Sequence, residues 1–455
     1  MRQQNQIKTT QRSLAKWTLL VATFAMLTRA QEANVPELTL DEAVAQAIAN
    51  NTDLKTADLE ISRAADDLAA NRARRFASTQ LFALGGQLLT KPSVTFERGS
   101  LGLYPAIGPI PATDQKIEIA RKPAGALFAS IAQPLSTQYR IHLQLKALSL
   151  RVDATREDRE KTRLEVVDEV RRAYNTVAGA QSALDSLQAS LPYYVESQRL
   201  ASENLSHEAI LQSDLLGADA QLVQTQNAIR DAEDKLASAA EKLNDLMGRD
   251  IHTRFRVSAI SEEHGELEMP ETLEARALEN RPELKKAKLQ VQQADYDARA
   301  KRAEYIPDVS AAVTYFTTAN FANALPSNIA TAGLQLTWEP WDWGRKRQEY
   351  AAKRVKEEQA KVAVTATERA VLLEVRNAFR QLEAAQRQLT LTNAVEAVAR
   401  QKLKEVQEQV KWEAVLKKDL FQAQSELAAA DNAQLHALTA YWDASADLKK
   451  AIGEQ

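Results

Sequence analysis

Residues 50–75 read NNTDLKTADLEISRAADDLAANRARR, and residues 280–305 read NRPELKKAKLQVQQADYDARAKRAEY. Laid over each other without a gap, at an offset of 230, they match at Asn50/Asn280, Leu54/Leu284, Lys55/Lys285, Ala57/Ala287, Leu59/Leu289, Ala64/Ala294, Asp67/Asp297, Arg72/Arg302 and Ala73/Ala303. Further along the offset becomes 205. Glu374, Val375, Arg376, Ala378, Asp419, Leu420, Ala423, Leu427, Ala444, Leu448 and Gly453 then fall on Glu169, Val170, Arg171, Ala173, Asp214, Leu215, Ala218, Leu222, Ala239, Leu243 and Gly248. Self-similarity at fixed offsets is the mark of a structure built twice. The chain therefore divides into a first repeat over 31–248, a connector over 249–270 and a second repeat over 271–455.

Each repeat opens with a short amphipathic helix, Leu40 to Asn50 and Thr272 to Asn280, followed by a second, Thr52 to Arg75 and Pro282 to Tyr305. Pro282 sits where a first helical turn tolerates proline. The texture then changes to period-two alternation, in DVSAAVTY (308–315) and GLQLTW (333–338), which predicts strands at about 308–316 and 331–339 around a turn at 321–328. Weaker equivalents lie at about 78–89 and 125–133, and Pro134 and Pro340 close the two segments. From Arg72 to Pro134 is 62 residues and from Arg302 to Pro340 is 38, so the first repeat carries 24 more between its strands. They fall in Lys91 to Gly125, whose prolines and glycines predict an exposed loop. Two readings of the strands stay open at this point. They form soluble hairpins, or they cross a bilayer, for which about 9 to 11 residues suffice. Four strands cannot close a barrel on their own, so the second reading requires several chains to share one.

Long helices follow, at about 137–205 and 212–247 in the first repeat and 343–408 and 417–452 in the second. A run of roughly 60 helical residues reaches ~90 Å. Pro192 is a candidate kink. Leu215, Leu222, Ile229, Leu236 and Leu243 recur every seven residues, with Ala218, Thr225, Ala232, Ala239 and Leu246 three positions on. The second repeat keeps phase, with Leu420, Leu427, Gln434, Tyr441 and Leu448 beside Ala423, Ala430, Ala437, Ala444 and Ala451. Such a period makes a left-handed coiled coil, and rows of alanine let the partner helix approach closely. The antiparallel partner shows in Val170, Val177, Leu184 and Leu191, with Ala173, Ala180 and Leu187.

Composition bounds the function. The 455 residues are 45% hydrophobic and carry a net charge of -3, which gives no basic surface for nucleic acid. Cysteine is absent, so disulfides, thiolate metal sites, cysteine nucleophiles and an N-terminal lipidated cysteine are excluded. Residues 1–30 place Arg2, Lys8, Arg12 and Lys16 ahead of an apolar run from Trp17 to Leu27 and the small-residue stretch Thr28-Arg29-Ala30. This reads as a secretory signal peptide, the alternative being a short anchor helix. No other segment has the ~18 to 20 apolar residues of a membrane helix, so membrane contact falls to the strands.

Two junctions carry a family resemblance. Gln133-Pro134-Leu135 and Glu339-Pro340-Trp341-Asp342-Trp343-Gly344-Arg345 are similar to the strand-to-helix junction of the TolC family of outer-membrane efflux proteins. Ser213-Asp214-Leu215-Leu216 with Ala218, and Lys418-Asp419-Leu420-Phe421 with Ala423, are similar to that family's returning-helix start. The resemblance runs from Leu38 to Gly453. It implies a mainly α fold with a membrane β-barrel portion, in which a homotrimer closes one twelve-stranded β-barrel continued by a twelve-helix periplasmic α-barrel. It further implies a passive exit duct of a tripartite efflux or type I secretion system, in the outer membrane and in contact with its lipid. Its partners would be a periplasmic adaptor (membrane fusion) protein and an inner-membrane pump of RND or ABC type. The chain departs from the family at Glu208 and Glu413, where members commonly carry glycine at the helical tips.

The candidate sites are few. Asp214 and Asp419 would line the periplasmic aperture as carboxylate rings, or they serve only as first-turn acids favoured by the helix dipole. The resemblance makes His207, Glu208, Ala209, Ile210, Trp412, Glu413, Ala414 and Val415 the adaptor-facing tips. Trp338, Trp341 and Trp343 fit an interfacial aromatic girdle or, equally, packing at the collar below a barrel. The histidines at 142, 207, 252, 264 and 436 lack metal-ligand spacing, and neither a phosphate loop nor a nucleophile motif occurs. No catalytic site and no cofactor are expected. A periplasmic adaptor would instead hold a single helical hairpin between β-rich halves, and a structural coiled coil would not need paired strands ending in proline.

Overall fold

The computed structural model describes residues 36–91, 93–118, 123–258, 268–319, 328–412 and 417–454. The signal-peptide segment, the turn at 321–327, His264 and the tip residues Glu413, Ala414 and Val415 lie outside them. In chain order the first repeat contains β1 (Glu37–Leu38), α1 (Leu40–Asn50), α2 (Thr52–Arg72), β2 (Ser78–Gln87), β3 (Ser93–Phe96), β4 (Leu103–Tyr104), β5 (Gly108–Pro109), β6 (Gln115–Glu118), β7 (Pro123–Pro134), α3 (Thr137–Ser206) and α4 (Gln212–Leu246). After β8 (Arg256–Val257) come α5 (Pro270–Asn280), α6 (Pro282–Arg302), β9 (Asp308–Ala319), β10 (Asn328–Thr337), α7 (Arg345–Lys411) and α8 (Lys417–Ala451). Short 3-10 turns, Ala73–Arg75 and Ala303–Tyr305, replace the last residues expected of α2 and α6. The helix α3 continues past Pro192. The segment expected to be a loop is folded. β3 pairs with β6 and β4 with β5, both antiparallel, so the prolines and glycines of 91–125 punctuate short strands. No described helix is long and apolar enough to cross a membrane.

Local chemistry sets the helix starts. Thr39 caps α1 through a reciprocal box, its hydroxyl accepting the Glu42 N–H at 3.3 Å while the Glu42 carboxylate accepts the Thr39 N–H at 3.2 Å. Asn51 opens α2 by accepting the N–H groups of Asp53 and Leu54. Pro270 stands in the first turn of α5.

Two compact units form, and each draws on both repeats. The first takes its described residues from Met1–Asp58, Glu157–Lys285 and Thr367–Gln455. Here Val170, Val177, Leu243 and Leu246 bury themselves against Ala43 and Ala47 of α1, and their repeat equivalents Val375, Leu448 and Ala451 pack with Leu273 and Ala277 of α5. The alanine row Ala423, Ala430, Ala437, Ala444 and Ala451 is buried throughout, as close packing of the α8 coil requires. Parallel pairing of β1 with β8 is tied to α3 by the Tyr174 hydroxyl, which donates to the Leu38 carbonyl at 2.9 Å. α3 meets α8 along a polar seam. Asn175 donates to Asp443 at 2.6 Å, Lys450 to Asp168 at 3.0 Å, and Arg172 pairs with both Asp168 and Asp447. Burial pushes the Asp443 carboxyl up from its ordinary range, against the opposing pull of the Asn175 amide.

The ends of α4 and α8 show why both repeats finish in glycine. Gly248 and Gly453 adopt φ of 65° and 76°, and the following N–H groups of Arg249 and Glu454 reach back to the carbonyls of Asn244 and Lys449. This is the glycine-closed helix terminus, which satisfies otherwise orphaned carbonyls. A methyl group at Gly248 would stand 2.8 Å from the Asn50 carbonyl oxygen, and one at Gly453 would stand 3.1 Å from the Arg281 nitrogen. Beside these turns the repeats use different side chains for one job. Asn51 donates to the Leu246 carbonyl at 3.2 Å, whereas Arg281 donates to the Lys450 carbonyl at 3.0 Å and grips Glu374 through both guanidinium tips, at 3.1 and 2.6 Å.

The second unit takes its described residues from Leu59–Arg156 and Lys286–Ala366. Its small cores pair Leu68 of α2 with Leu145 and Val152 of α3, and Ala300 and Ala303 with Leu143. Its sheet has the order β10-β9-β7-β2, antiparallel throughout.

Candidate channel wall and helical tips

The four-stranded sheet puts the two repeats side by side, β7 of the first joined to β9 of the second from Gly125↔Ala319 to Pro134↔Ser310. Its outer strands, β2 and β10, are exposed along all ten residues of each. Each therefore presents a row of backbone N–H and C=O groups with no strand beside it among the described residues. The pleat separates two chemistries. One face carries Leu81, Ile131, Val313, Leu334 and Leu336, and Leu334 is 75% exposed. The other is polar toward the helices, with Ser78, Gln80, Ser130, Thr314, Thr331 and Gln335, and carries Phe82, Leu84, Phe128 and Phe316 farther out. Large aliphatic side chains left in the open on a sheet with bare edges mark a surface that belongs against something apolar.

Below the sheet the chain turns into α7 through a tightly bonded corner. The Asp342 carboxylate accepts the N–H groups of Lys346 at 2.9 Å and Gly344 at 3.0 Å, and Arg345 donates to Glu339 at 2.6 Å. The Lys346 and Gly344 bonds and the adjacent Lys346 and Arg345 charges hold the Asp342 carboxyl below its ordinary range. The corner forces Trp343 to φ of 55° ahead of Gly344 at 84°. Trp343 is 90% exposed and meets Trp341 edge to face at 5.8 Å, while Trp338 is also exposed. The three tryptophans thus lie together at the strand-to-helix corner, without burial in this chain. Glu339 and Arg345 brace that corner, a role that their spacing in sequence does not announce.

At the far ends of the long helices, Asp214 occupies the third position of α4 and Asp419 the third position of α8. The Asp214 carboxylate accepts the Leu211 N–H at 3.1 Å, so it caps its own helix. The preceding turn closes as the glycine-closed ends do, with the Ala209 N–H on the Asn204 carbonyl and the Glu208 N–H on the Leu205 carbonyl, both at 2.9 Å. Glu208, not glycine, takes the left-handed residue there, at φ of 56°. His207, Glu208 and Ala209 are exposed, Ile210 is half-buried, and Trp412 at the end of α7 is 81% exposed.

Residues 120–249 and 273–454 match the model of the family described as outer membrane efflux protein. The chain belongs to the outer membrane efflux protein family. The match begins at β7 and includes all four long helices. This efflux protein is similar in structure to the Campylobacter jejuni CmeC outer membrane channel, with a TM-score of 0.73 and 17% identity over 91% of this chain and 85% of that one. It is likewise similar to CusC, with a TM-score of 0.72 and 17% identity over 92% and 93% of the two chains. To the open state of the Neisseria gonorrhoeae MtrE outer membrane channel it is similar with a TM-score of 0.67 and 16% identity over 91% and 89%. No curated protein sequence matches it. The efflux protein thus has the mainly helical fold of the outer-membrane channels, and its place is the outer membrane.

Proposed function

We propose that three copies of this efflux protein close one twelve-stranded barrel and a periplasmic tunnel of twelve helices, and that the assembly is the passive exit duct of a tripartite efflux or type I secretion system. The observation that carries this reading is the sheet with two bare ten-residue edges, one apolar face and one polar face. Inside a bilayer such edges must be paired, and pairing β10 of one copy with β2 of the next does so. The apolar face then meets lipid and the polar face meets water. Exposed apolar residues on the long helices, Val355, Val362 and Val398 of α7 and Leu216 and Val223 of α4, supply further contact between neighbouring copies. The tips, His207 to Ile210 and Trp412 to Val415, face a periplasmic adaptor protein, which links the duct to an inner-membrane pump of RND or ABC type. Trp338, Trp341 and Trp343 anchor the barrel at the membrane interface. Cargo is chosen by the pump, and the duct performs no catalysis.

On this reading the protein partitions with outer membranes and runs as a heat-modifiable trimer, and the 91–125 segment faces the cell exterior because barrels keep their long connections outside. The chain has no cysteine, so Ser100→Cys creates a single, exposed thiol. It should react with a membrane-impermeant thiol reagent on intact cells. Labelling only after the outer membrane is broken would invert the topology, and a soluble periplasmic monomer would end the reading.

The aperture role of Asp214 and Asp419 is separable from capping. Three copies bring six such carboxylates toward one axis, and neutralising both residues to Asn should then alter cation selectivity or divalent-ion block of single channels while the trimer persists. If they act as caps alone, the double variant loses about 0.5–2 kcal/mol per cap and its selectivity stays that of the parent.

A further inference from the structure

Away from the helices the polar face of the sheet turns apolar, first at a row of aromatic side chains. Phe82 of β2 lies opposite Phe128 of β7, Phe128 opposite Phe316 of β9, and Phe316 opposite Ile329 of β10, so one row across all four strands is apolar and mostly aromatic. The next row toward the helices is Gln80, Ser130, Thr314 and Thr331, wholly polar, with Thr314 and Thr331 sharing a 2.5 Å hydrogen bond. On the opposite side come Leu84, Ala126 and Thr318. Side chains two residues apart on a strand share a face, so the phenylalanines point the same way as the hydroxyl and amide groups beside them. Phe82 is 62% exposed, Phe128 40%, and Phe316 half-buried, so the described residues leave the row partly open.

We propose that this row is a contact band on the duct wall, a site that takes lipophilic aromatic solutes in transit after the pump has chosen them. The inference rests on the trimeric reading above, which turns this face to the lumen. Twelve strands about 4.8 Å apart, tilted by about 40°, enclose a backbone circle on the order of 24 Å across. Phenyl rings reaching roughly 6 Å inward leave a clear bore on the order of 10 Å. The row runs perpendicular to the tilted strands and climbs about 9 Å across one sheet, so three copies lay down three oblique aromatic ridges. Within the described rows of this face the one charge is Asp308, at the base, and Arg140 pairs with it at 3.2 Å. A hydrated inorganic ion finds no counter-charge at the band. An aromatic solute finds rings to stack on, and one with a delocalised positive charge gains ring-quadrupole attraction as well.

The absence of cysteine makes the test direct. Phe128→Cys and, on the other face, Leu334→Cys are reconstituted separately as trimers in lipid vesicles and treated with a cationic, water-soluble methanethiosulfonate. Phe128→Cys should react and Leu334→Cys should not. Tetraphenylphosphonium should slow the Phe128→Cys reaction roughly fivefold or more, while tetraethylammonium of the same charge should not. Adding Phe82→Ser and Phe316→Ser should abolish the protection; where that variant fails to assemble, protection in Phe128→Cys alone decides. Reaction at Phe128→Cys without protection, or with equal protection by both cations, overturns the band and leaves the duct standing. Reaction at Leu334→Cys with Phe128→Cys silent overturns both.

Discussion

Replacing Gly248 by alanine is expected to destabilise the protein by about 2–5 kcal/mol, with a matching fall in the midpoint of thermal unfolding followed by circular dichroism. Two costs add. A left-handed conformation with a side chain costs roughly 1–2 kcal/mol. The new methyl would also meet the Asn50 carbonyl oxygen at 2.8 Å, a backbone atom that cannot swing aside, and forcing such an overlap costs about 1–3 kcal/mol. Gly453→Ala should do nearly as much, since its nearest atoms, the Arg281 nitrogen and the Asn280 carbonyl carbon, are both at 3.1 Å. Gly217 is the control. It lies inside α4, and a methyl group added there would meet no atom within 4 Å, so Gly217→Ala should gain up to about 1 kcal/mol in helix propensity. A Gly248→Ala protein as stable as its parent would refute the argument.

Arg281→Ala should cost about 2–4 kcal/mol, because it removes a buried guanidinium bonded to the carboxylates of Glu374 and Glu283 and to a helix-terminal carbonyl. The Arg281 side chain is 8% exposed, whereas Glu374 is 45% exposed and can recover water. The loss therefore falls on the Lys450 carbonyl, on the packing of the arginine stem, and on Glu283, which pairs with the same guanidinium at 3.0 Å and is 29% exposed. A double-mutant cycle separates the parts: Arg281→Ala with Glu374→Ala should lose less than the two single losses combined. Strict additivity would show that the pair contributes no coupling. Asn51→Ala, at the equivalent place in the first repeat, should cost less, since the side chain it removes is short and uncharged.

Much of this fold is legible because two physical periodicities survive in the sequence. Ala423 to Ala451, spaced by seven, are buried as the heptad requires, and Val309 to Val313 alternate as a pleated strand does. The offset of 205 carries the first residue of α4, Gln212, onto the first of α8, Lys417, so the repeats agree at their boundaries. Residues 91–125 resemble a loop in sequence because strands of two and four residues are too short to show alternation amid prolines and glycines. The Phe82, Phe128 and Phe316 row is invisible in sequence for another reason. It exists only once register is known, and the three residues come from segments with no local relation. Arg281 does leave a signal, since it stands at offset 230 from Asn51 inside an otherwise well-matched stretch. The caps split likewise. A first-turn Asp can be placed on its helix from sequence, but not the Leu211 N–H that it accepts.

The bare edges of β2 and β10 bear on how the protein comes to exist at all. A lone chain cannot leave twenty edge residues unpaired in hydrocarbon, so in the proposed trimer membrane insertion and association become one event. Its rate then rises steeply with the local concentration of chains, unlike that of a barrel closed by a single polypeptide. The cell must gather three copies before any of them can settle, and a sparse supply delays the finished pore far more than it thins it.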